Sequence, residues 1–219
     1  MATQCFGVVR GKRVRVTELD VCGAPVTGGS FVVSDGFVSV ELTSELEDGD
    51  EYIQKNADGK LCVNERAPDS LKRLNVTITW CKVDPDIMNL VTGNPLEMDA
   101  SDPVGFRIQE GEADAKWALE LWTGLSGQGC DEEGNVRYGY FLLPLVTGST
   151  IGDITIENAN ATFSTTGYTE GNSGWGVGPY NVIHNPATPL DVAIDAIDHA
   201  LIRTTEVPPP AAVCGAQVL

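Results

Sequence analysis

The chain has 219 residues, 42% of them hydrophobic, which suits one large domain with a real core. A formal charge of −17 and a pI near 4.3 argue against nucleic-acid binding, because neutralising phosphates takes an excess of lysine and arginine. No apolar run of about twenty residues predicts a membrane span, and the opening MATQCFGVVRGKRVRV sets its charges after a very short apolar patch, unlike a secretory signal.

Val14-Arg15-Val16-Thr17 alternates apolar and polar and predicts a strand, with CGAPVTGG after it as a turn-rich connection. Over residues 37–43, Val38, Val40 and Leu42 share one face while Ser39, Glu41 and Thr43 share the other, the pattern of a half-buried strand. The acidic run Glu45, Glu47, Asp48, Asp50 and Glu51 surrounds Gly49. It lacks the ligand spacing of an EF-hand and reads as a solvated loop. Asn56-Ala57-Asp58-Gly59 suits a hairpin turn between EYIQK and KLCVNE, so residues 44–72 form a long excursion with its own hairpin.

The clearest strand is 74–83, with Leu74, Val76, Ile78 and Trp80 on one face and Asn75, Thr77, Thr79 and Cys81 on the other. It ends at Asp84-Pro85, a helix N-cap followed by proline at the first helical position. Ile87, Leu90 and Val91 then share one side of a two-turn helix that Gly93 stops. Residues 93–103 read as a loop. Two strands follow at 104–110 and 116–122 around an acidic tip, 109–114, with Trp117, Leu119 and Leu121 opposing Ala118, Glu120 and Trp122. Cys130-Asp131-Glu132-Glu133-Gly134-Asn135 forms another polar turn.

From Tyr138 to Tyr180 an apolar run leads into two alternating segments. Ile154 and Ile156 share a face of the first, Ala161, Phe163 and Thr165 a face of the second, and Glu157-Asn158-Ala159-Asn160 between them predicts a β-hairpin. Gly174, Gly176 and Gly178 in SGWGVGPY read as close-packed backbone or turn geometry. They do not form a dinucleotide loop, because Pro179 follows and no βαβ pattern surrounds them. Residues 185–198 are half helical in spacing and proline-rich and fit neither element. A last strand is expected near 199–206, and the tail 207–219, VPPPAAVCGAQVL, is expected to start as polyproline and to pack only against a partner.

Little in the chain resembles a reaction centre. The six cysteines (Cys5, Cys22, Cys62, Cys81, Cys130, Cys214) form no CxxC pair, so buried free thiols are expected rather than zinc ligands. Ser173, in Gly-Asn-Ser-Gly-Trp, misses the G-x-S-x-G pattern by one place, which leaves a hydrolase built on it and His184 or His199 unsupported. Trp80, Trp117 and Trp122 alternate within strands and read as core, with a carbohydrate platform as the other use of such residues. No catalytic residue, metal ligand or cofactor is expected.

Several segments together resemble the major tail proteins, or tail tube proteins, of long-tailed (siphovirus-type) phages of actinobacteria. They are GKRVRVTELDVCGAPV, LKRLNVTITWCKVDPDIMNLVTGNP, ALELWTGLSG, the run YGYFLLPLV, TIGDITIENANATF and GWGVGPY, and TTEVPPPAA. They occur in order along nearly the whole chain; none is diagnostic alone, and residues 44–72 and 185–198 resemble the family least.

The resemblance implies a mainly β fold, a β-sandwich or barrel with one flanking short α-helix and long loops. It implies a tail-tube domain over 1–206, a proline-led tail over 207–219, and hexameric rings stacked into a tube in the virion tail, assembled in the host cytoplasm. The implied partners are further copies of the chain, a tape measure protein and terminator or tip proteins, with double-stranded DNA passing through unbound and no membrane. Within that reading, Glu41, Glu45, Glu47, Asp48 and Glu157 are candidates to face the lumen. Tyr52, Leu61, Pro208, Val213 and Leu219 are candidates for ring-to-ring contacts. The alternative is a β-sandwich module binding carbohydrate or a receptor at a virion or cell surface.

Overall fold

The structure is a computed structural model that describes residues 6–126, 130, 134–158, 161–171 and 174–219. In chain order, β1 (Gly7–Glu18) turns back as β2 (Ser30–Ser34), and β3 (Phe37–Glu47) leads into a hairpin of β4 (Glu51–Lys55) and β5 (Leu61–Arg66). Then come β6 (Ser70–Trp80), the helix α1 (Pro85–Thr92), and a small pair, β7 (Leu96–Asp99) and β8 (Asp102–Phe106). β9 (Trp117–Ser126), the long β10 (Tyr138–Ile156), β11 (Ala161–Thr169), β12 (Leu201–Thr205) and β13 (Val213–Val218) complete the chain.

Nine strands form one antiparallel sheet with the path β13-β2-β1-β9-β10-β11-β6-β3, and β12 lies beside the first half of β10. β10 belongs to both halves of that path. Its first half pairs with β9 and β12, its second half with β11. The sheet therefore has two halves joined through one strand, and their inner faces meet. Val14, Val16, Val32, Trp117 and Leu119 of the first half pack in one cluster with Val76, Ile78 and Trp80 of the second and with Ile87, Met88 and Val91 of α1. Burying each such side chain contributes about 1.5–3 kcal/mol. This mainly β, antiparallel arrangement is consistent with a β-sandwich.

The helix has the predicted ends. Asp84 accepts from Asp86 N, Pro85 opens the first turn, and Gly93 takes the left-handed conformation at φ 71° that only glycine adopts without strain. The predicted hairpin forms too, with Ile156 opposite Ala161 and Ile154 opposite Phe163; Ala159 and Asn160 of its turn lie outside the described residues. The predicted turn at Asn56 also forms, its side chain accepting from Asp58 N and Lys60 N.

Several expectations need correction. Glu45 and Glu47 do not belong to a solvated loop: β3 runs on to Glu47, paired with β6 as far as Ser70. A bulge between Phe37 and Ser39 turns Val38 out of the face it was assigned, leaving it 59% exposed. The strands near 104–110 and 116–122 are not hairpin partners. β8 pairs with β7, inside the expected loop 93–103, and β9 is taken by β1 and β10. Cys22, Cys62, Cys81, Cys130 and Cys214 are free thiols but exposed, because they sit at turns, on the hairpin and on an edge strand; Cys5 lies outside the described residues. The turn 130–135 is described only at Cys130, which bridges to Val136, and at Gly134 and Asn135.

Candidate assembly surfaces

The two halves of the sheet differ in what covers their second face. In the first half, residues 174–198 lie across the side of β9 and β10 that points away from the main core. Trp175, Val182, Ile183, Leu190 and Ile194 pack there on Ala118, Trp122, Tyr140, Leu142 and Leu145. That is the place of the segment whose spacing fits neither helix nor strand: it is irregular, and its job is coverage. Gly174 has no room for a side chain, since a Cβ would sit 2.7 Å from the Gly23 carbonyl carbon, and Gly178 turns at φ 80° against the Trp175 ring. Both predicted uses of the SGWGVGPY glycines are present.

Beneath this cover lies a buried charge network. Arg15 Nε and Nη2 donate to Glu120 Oε2 and Oε1 at 2.5 and 2.7 Å, and Tyr140 donates to Glu120 Oε1 at 2.6 Å. The Arg15 guanidinium stacks 3.3 Å over the Tyr180 ring and 5.1 Å over Trp122, and Tyr180 Oη shares a hydrogen bond with Thr17. Burial acts to lower the Arg15 pKa, but Glu120 outweighs it and the pKa is raised. Burial raises the Tyr140 pKa well above its ordinary value and takes that of Tyr180 to about 12. Arg15 and the two tyrosines hold fixed protonation states at neutral pH, and with Glu120 bound by Arg15 and Tyr140 the network is a structural clamp.

The second half is open. Residues paired in register share a face, and the outer face of β10, β11, β6 and β3 reads across as Thr150, Thr166, Thr77 and Glu41. Flanking rows are Ser164, Thr79 and Ser39 on one side and Tyr168, Asn75 and Thr43 on the other. Glu45 continues this face beside Arg73, which it binds with both oxygens at 2.8 and 2.9 Å, and it also meets Lys72 at 3.2 Å. The hydrogen bonds from Arg73, then Lys72, pull the Glu45 pKa down to about 2. β3 ends the sheet path, so its outer edge has no ladder partner among the described residues.

Beyond β3 and β6, β4 and β5 pair only with each other among the described residues, and every residue in them is exposed. Tyr52 and Leu61 stand on this arm at 58% and 56% exposure. Of the acidic candidates, Glu41, Glu45 and Glu47 alternate along one face of β3, and Glu157 is exposed just past β10. Asp48 sits apart at the base of the arm in an ion pair with Arg66, 3.2 Å away.

The tail does not wait for a partner to pack. β13 joins the edge of β2, with Val213 opposite Val33, Gln217 opposite Phe31 and Val218 opposite Ser30. The Asp84 and Asp86 carboxylates at the start of α1 accept from Gly215 N and Ala216 N at 2.8 and 3.1 Å. An unsatisfied β2 edge and two carboxylates at a helix N-terminus give the backbone of the tail a site in its own chain. Pro208 and Val213 remain exposed and Leu219 half-buried, its N–H bonded to the Gly29 carbonyl.

Ser173 lies outside the described residues, and the two histidines have different partners: His184 meets Asp191 at 3.0 Å and His199 meets Thr169 at 2.8 Å. All four tryptophans are buried, so none offers a sugar-stacking platform. Sequence reasoning missed the Arg15–Glu120 pair; its one signal was a charged residue alternating with valines in one strand and with leucines in another. No family model and no curated protein matches the chain.

Proposed function

We propose that the chain is a structural virion protein that polymerises as stacked hexameric rings into a phage tail tube, a negatively charged conduit for DNA. The observation that supports it most is the unevenness of the sheet: residues 174–198 cover the outer face of β9 and β10 in one half, while the other half keeps a polar outer face and a projecting arm beside β3, one of the two ends of the sheet path. An isolated sheet with such an edge invites pairing with another copy, and a head-to-tail contact that closes makes a ring. In this reading the outer face carrying Glu41, Glu45, Thr77 and Thr166 lines the channel. Six copies at −17 each carry roughly −100 in total. A hydroxyl-rich acidic wall repels phosphate within a Debye length of about 8 Å, and the cations beside it, Arg73 and Lys72, are already bound to Glu45. Tyr52 and Leu61 on the arm then meet the next ring.

Negative-stain electron microscopy of the purified protein tests the proposal. Tubes of uniform width are expected; a monomer whose thermal stability rises with a glycan would support the binding-module alternative. A phage whose Glu41 and Glu157 are replaced by lysine should assemble tails and eject DNA less efficiently. Normal ejection from that phage would remove the role assigned to the acidic face.

A further inference from the structure

The C-terminal strand is attached in an unusual way for an element of a sheet. None of its six residues is buried, and Val213 and Val218 are 45% and 77% exposed. What holds it is backbone: ladder pairs to β2, Leu219 N on the Gly29 carbonyl, and two N–H groups on the carboxylates of Asp84 and Asp86. Gly215 makes this possible, because it turns at φ 89° where its N–H reaches Asp84. A stretch with three consecutive prolines, Pro208 to Pro210, connects β12 to this strand, and such a stretch is stiff and extended at about 3.1 Å per residue.

We propose that β13 is an exchangeable strand, and that in the assembled state it occupies the β2 edge of a second copy of the chain. The inference rests on self-assembly as proposed above and adds a specific joint to it. Three features argue for it. The docking site reads backbone and a glycine rather than a buried side chain, so the tail of any copy fits it as well as the chain's own. Leaving the site empty would strand the β2 edge and two carboxylates that now accept hydrogen bonds, so a departing tail must be replaced by one of the same chemistry. A stiff proline strut sets the strand at a fixed reach, and exchanging an identical element between copies keeps every contact while joining the two.

The test uses cysteine pairs in full-length protein whose six native cysteines are replaced by serine. Ser30 and Val218 are register partners, and paired Cα atoms lie at about 4.5–5.5 Å, within disulfide range. One population carries Ser30→Cys and the other Val218→Cys. The two are co-expressed and oxidised with glutathione disulfide, which is reduced to two thiols as each protein disulfide forms. A disulfide-linked dimer on a non-reducing gel is the expected result, its yield falling about threefold when Asp86→Ala is added to the Ser30→Cys copies.

A chain carrying both cysteines fixes the alternative. If it closes on itself while the mixture stays monomeric, β13 never leaves its own chain and the proposal is overturned. It is overturned equally if neither sample cross-links, or if Asp86→Ala leaves the dimer yield unchanged. Dimers without tubes in the microscope would keep the exchange and discard the tail-tube reading, so the two can fail separately.

Discussion

β9 and β3 are both ten- or eleven-residue strands of one sheet, yet they lead opposite lives. On β9, Trp117, Ala118, Leu119, Glu120 and Trp122 are all buried, because β6 and α1 cover one face and residues 174–198 the other. On β3 no residue is buried, one edge has no partner among the described residues and the outer face is polar. The difference shows where this chain keeps its stability and where it leaves sheet face and edge uncovered. A glutamate is spent on a clamp in the first strand; in the second, three alternate along an exposed face.

The largest effect should come from the sealed half. Replacing Glu120 by alanine strands a buried guanidinium and the Tyr140 hydroxyl, which should cost about 3–5 kcal/mol. At about 2–4 °C per kcal/mol for a chain of this size, the thermal midpoint should fall by about 6–20 °C. Replacing the pair together, Arg15→Met with Glu120→Leu, should recover most of that loss, since no charge is left unpaired. A single variant melting within a degree of the parent would erase the contrast between the halves. Gly174→Ala probes the cover itself and should cost less, about 1–3 kcal/mol, because the new methyl meets the backbone of Cys22 and Gly23 rather than a side chain that can move. Urea unfolding would read it.

What was legible in the sequence follows from the range of the forces involved. Asp84, Pro85 and Gly93 act within one turn of chain, so both ends of α1 were readable. Period-two alternation gave β6 and the Ile154–Phe163 hairpin, and it put Ser39, Glu41 and Thr43 on one face of β3. It could not say which face a second layer covers, nor that Arg15 meets Glu120 from 105 residues away. Pairing was misread where two apparent strands lay close in sequence: β8 and β9 are neighbours in the chain, but β1 and β10 offered β9 a partner on each edge. The tail was misread because its strand depends on carboxylates 130 residues earlier.

On the open half the effects should be smaller and should depend on pH. Glu45 has its folded pKa depressed, from an ordinary 4.5 to about 2, by its bonds to Arg73 and Lys72. A depressed carboxylate pKa contributes stability that is present above the unfolded value and lost as pH falls through the folded one. The contribution of Glu45 should therefore be complete above about pH 5 and fade between 4.5 and 2. Because the pair is largely solvated, its size should be modest. The urea midpoints of the parent and Glu45→Gln should differ slightly at pH 7 and converge toward pH 2. A gap that stays constant with pH would mean the ion pair is not what holds the base of the arm.

The smallest expected change in stability comes from removing the largest piece. Asp50 and Ala67 are already hydrogen-bonded across the base of the arm, with Ala67 N donating to the Asp50 carbonyl at 2.9 Å. Residues 51–66 can therefore be replaced by a two-residue Gly-Gly turn without disturbing the strands below. Since β4 and β5 bury none of their own residues, the thermal midpoint should stay within about 2 °C of the parent. An isolated two-stranded hairpin is marginal in water, and a chain gains little by keeping one unless something receives it. If the receiver is another copy, the shortened protein should fold normally and form no tubes in the microscope. If instead it melts much earlier, the arm braces its own sheet and the division into a sealed and an open half is drawn in the wrong place.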